Sequence, residues 1–302
     1  MKPFSGPIQE YGPECGSAPG RVVSLVPSLT ESLFDLGLGK RLVAVSDYCV
    51  HPAGETARLP HVGGTKNPDL ETILALQPDL VLANWEENTE SSVDTLARAG
   101  VSVWVTHPRS IQETLDMLWA LAGRFEDQTT ALRLKSLEVS LEWAEAAARS
   151  HEPLATFCPI WYEPGNGGLE WWMSFNQFTY CHDILQASGG RNVFAERQRR
   201  YPLAADLGQA PTEPAGERDT RYPRLTLEEI RISQPEVILL PDEPFAFEET
   251  HRQNLLERLA DTPAARNRRI HLIEGSLITW PGTRCVRALQ ELPAYFEAED
   301  RA

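Results

Sequence analysis

The chain reads as an α/β protein of two similar lobes, each a mainly parallel sheet with helices on both faces, joined by one long α-helix. Three observations carry this. Residues 70–82 read LETILALQPDLVL and residues 227–239 read LEEIRISQPEVIL, identical at six positions that include Glu71/Glu228 and Gln77-Pro78/Gln234-Pro235. Each copy is a short helix, a Gln-Pro break and an apolar strand; proline cannot continue the helix, and the apolar run after it suits a strand covered on both faces. A weaker echo, LFDLGLGKRLV at 33–43 and ILQASGGRNVF at 184–194, keeps the same order in each half. Between the halves, residues 126–150 hold no Gly or Pro and repeat leucine and alanine at helical spacing, so a helix of about 37 Å is predicted as a connector.

The elements follow in order. Residues 1–20 are polar and rich in Pro and Gly, a flexible tail. The first lobe spans 21–125. It opens with a strand at 21–26 and a helix from Ser28, whose spacing to Glu31 matches a capping box. Strands 42–45, 80–83 and 101–105 alternate with the short helix of the first repeat copy and helices 89–99 and 111–123. The loop 46–69 is long and rich in Gly, Pro and His, a pattern common in functional loops. The connecting helix covers 126–150, and the second lobe 151–302. That lobe carries strands 155–160 and 270–273, helices 179–187, 249–259 and 284–296, and a poorly periodic loop at 195–223.

Composition narrows the function. The 302 residues include 42% apolar side chains, enough for two cores, and the net charge of −15 argues against nucleic acid. No apolar stretch is long enough to span a membrane. The N-terminus lacks the apolar segment of a secretory signal, which leaves a cytosolic chain or one whose signal lies upstream or has been removed. The five cysteines are widely spaced without a CxxC, so structural thiols or one disulfide are expected.

Catalytic signatures are missing: no phosphate-binding P-loop, no GxSxG, no HExxH, and no nucleophile placed beside a base. No catalytic residue, metal site or cofactor is assigned, and the chain is read as a non-enzyme. Aromatics, by contrast, gather after predicted strands: Tyr48, Trp85, Trp161, Tyr162 and Trp280, with Trp171 and Trp172 as further candidates. Ligands of parallel α/β sheets bind outside the carboxyl ends of the strands, where rings offer a flat wall to a large planar solute.

The segments RVVSLVPSLTESLFDLGLGKRLVAVSDYCVHP, LPHVGG, NPDLETILALQPDLVLA, YPRLTLEEIRISQPEVILLP and GSLITWPGTR together resemble the cobalamin and iron-siderophore branch of the class III periplasmic binding proteins, over roughly residues 21–296. The resemblance implies two Rossmann-like lobes on one helix, an interlobe cleft that binds solute, and delivery to an ABC importer. It implies cobalamin or another corrinoid as ligand, with Tyr48, Trp85, Trp161, Trp172, Tyr222 and Trp280 as contacts. It also implies docking of Glu71 and Glu228 to the permease, and an extracytoplasmic, periplasmic location. Both glutamates occupy the same helical position, with Asp69 and Thr226 as N-caps; acids there also complement the helix dipole. Thr65 stands where the family carries an aromatic, which keeps a ferric siderophore or haem open as ligand. A reading from another class is a metal-dependent enzyme on a bilobal, nitrogenase-like scaffold, using Cys49, His51, His61 or His182.

Overall fold

The computed structural model describes residues 6–16, 18–148, 152–165 and 168–297. The chain divides into two compact units: Met1–Glu142 with Trp280–Val286, and Trp143–Thr279 with Arg287–Ala302. The boundary falls inside the long helix read as a connector, and a short C-terminal segment belongs to the first unit.

The first unit contains β1 (Ile8–Tyr11), β2 (Val22–Ser24), α1 (Pro27–Asp35), β3 (Leu42–Val45), α2 (Ala53–Thr56), α3 (Leu70–Ala75), β4 (Leu80–Asn84), α4 (Glu90–Arg98), β5 (Ser102–Thr106) and α5 (Ile111–Phe125). The helix α6 (Gln128–Ala148) contributes to both units. It starts where the Asp127 carboxylate accepts from the backbone N–H of Thr129 and Thr130. Residues 149–150 of the expected connector lie outside the described residues.

Its sheet has the order β1-β5-β4-β2-β3. The last four strands are parallel, and β1 runs antiparallel to β5. All five positions of β4 and of β5 are buried, as strands covered on both faces require. The β1 pairing corrects the expectation of a flexible tail: part of that segment, Ile8–Tyr11, caps the edge of β5. Gly12 then turns the chain at φ 80°, where a Cβ would lie 2.3 Å from the Val101 carbonyl oxygen. The Ser28 capping box is also corrected. Pro27 takes the first helical turn, so α1 begins earlier and Ser28 lies inside it without a capping bond.

The second unit contains β6 (Leu154–Phe157), β7 (Trp161–Glu163), β8 (Trp171–Met173), α7 (Tyr180–Ala187), β9 (Gly190–Asn192), α8 (Leu203–Asp206), β10 (Arg224–Leu225), α9 (Leu227–Ile232), β11 (Val237–Pro241), α10 (Glu249–Arg258), α11 (Pro263–Arg266), β12 (Ile270–Ile273) and α12 (Ser276–Thr279), and α13 (Cys285–Glu291) begins in the first unit and ends in the second. One sheet, ordered β12-β11-β6-β9, is fully parallel; a second, β10-β8-β7, is antiparallel. The hairpin of β7 and β8 is absent from the sequence expectation, which ran one strand to residue 160. The final helix expected over 284–296 stops at Glu291, and Pro293 lies in a 3-10 turn over Leu292–Tyr295.

Set aside β1, and the parallel strands of the two units share one topology: β5-β4-β2-β3 and β12-β11-β6-β9. The repeated sequence phrase forms α3–β4 and α9–β11, which occupy equivalent places. Asp69 caps α3 and Thr226 caps α9 with a complete capping box through Glu229. Both helices are followed, just past the C-cap, by a glutamine in the left-handed region, Gln77 at φ 47° and Gln234 at φ 44°. The following proline disfavours the right-handed helical conformation for the residue before it, so the chain leaves each helix the same way.

The segment 195–223 is held by one carboxylate. Asp206 accepts from Arg197 Nη1 at 2.8 Å, Arg200 N at 2.9 Å and Arg224 N at 2.8 Å. Arg197 also reaches Glu229 at 3.2 Å, which ties the segment to α9. Removing one member of such a buried pair costs on the order of 3–5 kcal/mol.

Left-handed backbone strains any side-chain-bearing residue, so Gln77→Gly is expected to raise unfolding stability by about 0.5–1 kcal/mol. Urea denaturation reads it; a loss of stability would contradict the strained-terminus account.

Candidate functional site

In the first unit the candidate side chains stand on loops leaving the carboxyl ends of β3, β4 and β5. Tyr48 follows β3 and is 62% exposed. Asp47 N donates to the Gly63 carbonyl at 2.9 Å, which draws the 63–68 loop alongside. At Gly64 a Cβ would approach the Tyr48 ring to 3.5 Å and Asn67 Oδ1 to 2.7 Å, so a side chain there would press on both. The same loop is tied to the segment after β4: Asn88 Nδ2 donates to Thr65 O at 2.8 Å, and Lys66 Nζ to Glu86 O at 2.6 Å. Trp85 opens that segment, half-buried, with its backbone N–H on Thr106 O and its ring stacked on His107 at 6.2 Å. His107 Nε2 lies 3.6 Å from a Glu86 carboxylate oxygen.

Trp280 joins this unit through the returning C-terminal segment. Its ring meets His51 edge-on at 5.9 Å, and the Arg284 guanidinium lies 4.8 Å over its face. Arg284, 3% exposed, forms a two-point ion pair with Glu31 of α1 at 2.5 and 2.6 Å. Thr283 N donates to Ser32 Oγ at 3.0 Å, and its hydroxyl to Asp35 at 2.6 Å. The close fit needs Gly282, where a Cβ would fall 2.5 Å from Ser32 Oγ. Burial pushes the Asp35 carboxyl up, opposed by the Thr283 hydrogen bond.

In the second unit Trp161 begins β7, 39% exposed, and meets Phe245 edge-on at 5.7 Å. Trp172 is placed differently from expectation. It is 2% exposed, belongs to the core with Phe157 and Ile238, and stacks on Tyr162 at 4.9 Å. Its position in β8, paired to Tyr162 and Leu225, turns it into the core, where it backs Tyr162. Tyr162 donates its hydroxyl to Glu170, which is in turn gripped by Arg258 at 2.5 and 2.6 Å. The Arg258 hydrogen bonds hold the Glu170 carboxyl below the usual carboxylate range. Tyr162, Trp172, Phe247 and His251 line a cavity of about 240 Å³.

Sequence reasoning missed Phe245, Phe247 and His251. The two phenylalanines lie just past Pro241 at the carboxyl end of β11, so the rule that selected Trp85 would have found them. His251 sits in the first turn of α10, where Nδ1 accepts the Glu248 N–H, and packs edge-on to Tyr162, Phe245 and Phe247. Tyr222 lies outside this ring cluster, before β10, with the Arg221 guanidinium 5.3 Å over its ring.

Glu71 is exposed on α3 and makes no ion pair among the described residues. Glu228, at the equivalent place on α9, is bound to Arg231 at 2.5 Å, and Arg231 also reaches Asp261 at 3.3 Å.

The residues named for a metal reading do not converge. Cys49 is fully buried, hydrogen-bonded to Thr30 and Ser46, and burial pushes its thiol up. His61 faces Asp47 at 3.5 Å. His182 lies in the second unit, beside Asn192, and burial pushes its pKa down. No group of three His, Cys, Asp or Glu side chains suited to a metal occurs among the described residues. No helix there is long and apolar enough to cross a membrane.

Removing the Arg284 anchor is expected to free Trp280. Arg284→Met should shift tryptophan emission to the red and cost about 3 kcal/mol, because Glu31 loses its buried partner. Emission and urea unfolding together read this; unchanged values for both would show that Arg284 does not position the ring.

Comparisons with known proteins agree with this architecture. The chain is 26% identical over 286 residues to a vitamin B12-binding protein of Vibrio parahaemolyticus, covering 93% of this chain and 90% of that one. The crystal structure of a periplasmic vitamin B12 binding protein of Vibrio cholerae superposes with a TM-score of 0.72 at 21% identity, covering 92% of this chain and 96% of that one. A periplasmic heme binding protein from Pseudomonas aeruginosa matches with a TM-score of 0.68 at 24% identity, over 93% of this chain and 94% of that one. The family model described as Periplasmic binding protein matches residues 22–277, and with the two-unit fold this places the chain in the periplasmic binding protein family, a family of solute-binding proteins.

Proposed function

We propose that this chain binds cobalamin or a related corrinoid and delivers it, unaltered, to an ABC importer outside the cytoplasm. The likeness to the Vibrio vitamin B12-binding protein across 93% of the chain is the observation that carries the reading. The ring placement supports it. Tyr48 and Trp85 stand past the carboxyl ends of parallel strands in one unit, which Trp280 joins from the C-terminal segment, and Trp161, Tyr162 and Phe245 stand past such ends in the other. A planar macrocycle of mixed polarity suits rings that keep polar neighbours such as Lys66, Glu86 and Arg284. Tyr222 is retained as a contact from the 195–223 segment, and Trp172 is a support beneath Tyr162.

Glu71 and Glu228 are proposed to meet basic residues of the permease. The family works with such importers, and charge pairing of this kind steers association and fixes orientation. Glu71 is available at once, whereas Glu228 must leave Arg231.

Haem is the second reading. It is favoured by His51 against Trp280 and His107 against Trp85, imidazoles beside rings in the first unit.

Isothermal titration with cyanocobalamin tests the proposal. A one-to-one complex is expected, weakened about tenfold by Trp85→Ala or Trp161→Ala, through loss of ring contacts. The double variant Glu71→Arg with Glu228→Arg should bind as the parent does. Heat with haemin and none with cyanocobalamin would replace the corrinoid reading with the second one.

A further inference from the structure

The segment 195–223 holds charge that the solute-binding reading does not use. It carries Arg197, Arg199, Arg200, Arg218 and Arg221, with Arg224 just beyond, in a chain whose net charge is −15. Some of these are satisfied. Arg197 is compensated by Asp206 and Glu229, and Arg221 by Asp219 at 2.7 Å. Arg218 lies 3.9 Å from Glu213 and donates to backbone carbonyls of Pro214 and Ala215.

Arg199 and Arg200 are not. Arg199 Nε is buried and has no acceptor among the described residues, and neither side chain forms an ion pair there. A buried N–H without a partner carries a desolvation penalty that an acceptor would remove. Burial pushes the Arg224 guanidinium down to about 10, and the nearby Arg199 charge adds to that push. Asp206 and Asp219 oppose that push, so arginines and carboxylates are gathered together at this point.

The place is built, not a loose surface loop. Tyr201, 9% exposed, has the Arg199 and Arg218 guanidiniums 4.4 and 4.1 Å from its ring centre. Its hydroxyl donates to Asp219 O at 2.7 Å, and its carbonyl accepts from Glu213 N at 2.7 Å. Arg199 N is fixed to Thr220 O at 2.9 Å. These ties border an open polar hollow of about 440 Å³, lined by Arg199, Arg200, Gln198, Thr212 and Thr220 together with Glu196 and Glu213.

We propose that this hollow binds a small oxyanion, a phosphate or carboxylate group, through Arg199 and Arg200 with hydroxyl support from Thr212 and Thr220. Planar guanidinium forks and hydroxyl donors match oxyanion geometry. The oxyanion is either a free ion or an anionic group of the bound solute.

The test is titration with inorganic phosphate against potassium chloride at matched ionic strength, read by calorimetry and by thermal unfolding. Saturable heat and a rise in Tm with phosphate alone are expected. Arg200→Gln, an exposed change that leaves the Tyr201 packing intact, should weaken phosphate about tenfold, and Arg199→Gln at least as much. Repeating the titration with cyanocobalamin present separates the sources: competition assigns the oxyanion to the solute, and unchanged affinity to a free ion. Equal effects of phosphate and chloride, or parental phosphate affinity in both variants, would overturn the proposal.

Discussion

Parallel pairing is the constraint on which everything else in this molecule depends. Four strands in each unit run the same way, in the orders β5-β4-β2-β3 and β12-β11-β6-β9. Parallel strands need crossover connections, so each strand's carboxyl end releases a loop on the same side of the sheet. Tyr48, Trp85, Trp161 and Phe245 owe their placement to that geometry, although they are far apart in sequence.

Held rings matter more than ring count. Trp280 is fixed by Arg284, whose ion pair with Glu31 is nearly excluded from water, and Tyr162 is fixed by Trp172, Glu170 and Arg258. Such second-layer contacts restrict the rotamers of an exposed aromatic before any ligand arrives. Less entropy is then lost on binding. The same device recurs where Asp206 gathers Arg197, Arg200 and Arg224, converting a long irregular segment into a fixed surface.

Much of this was legible in the sequence, for definable reasons. The repeat Leu-Glu…Gln-Pro gave the equivalence of α3–β4 and α9–β11 because Gln-Pro encodes one particular helix exit. The helices read at 89–99, 111–123 and 179–187 are present, with Thr89, Ser110 and Thr179 as their caps. The errors are equally physical. Pro27 outcompeted Ser28 as the helix-starting signal. The hairpin of β7 and β8 was hidden because its strands are only three residues each, too short for periodicity to register. Trp172 read as a ligand contact because burial depends on which sheet face a residue takes. The β10 pairing that fixes this joins residues distant in sequence. The cohesion of 195–223 was invisible for the same reason: Asp206 acts on partners brought close only by folding.

The role proposed for this scaffold is capture of a whole corrinoid. Its most direct measurement is gel filtration of the protein after incubation with cyanocobalamin, followed at the visible absorption band of the corrin. Colour eluting with the protein at one corrin per chain, with the ligand recovered unchanged, is the predicted result. Folded protein eluting colourless, with all of the corrin in the small-molecule volume, would contradict it.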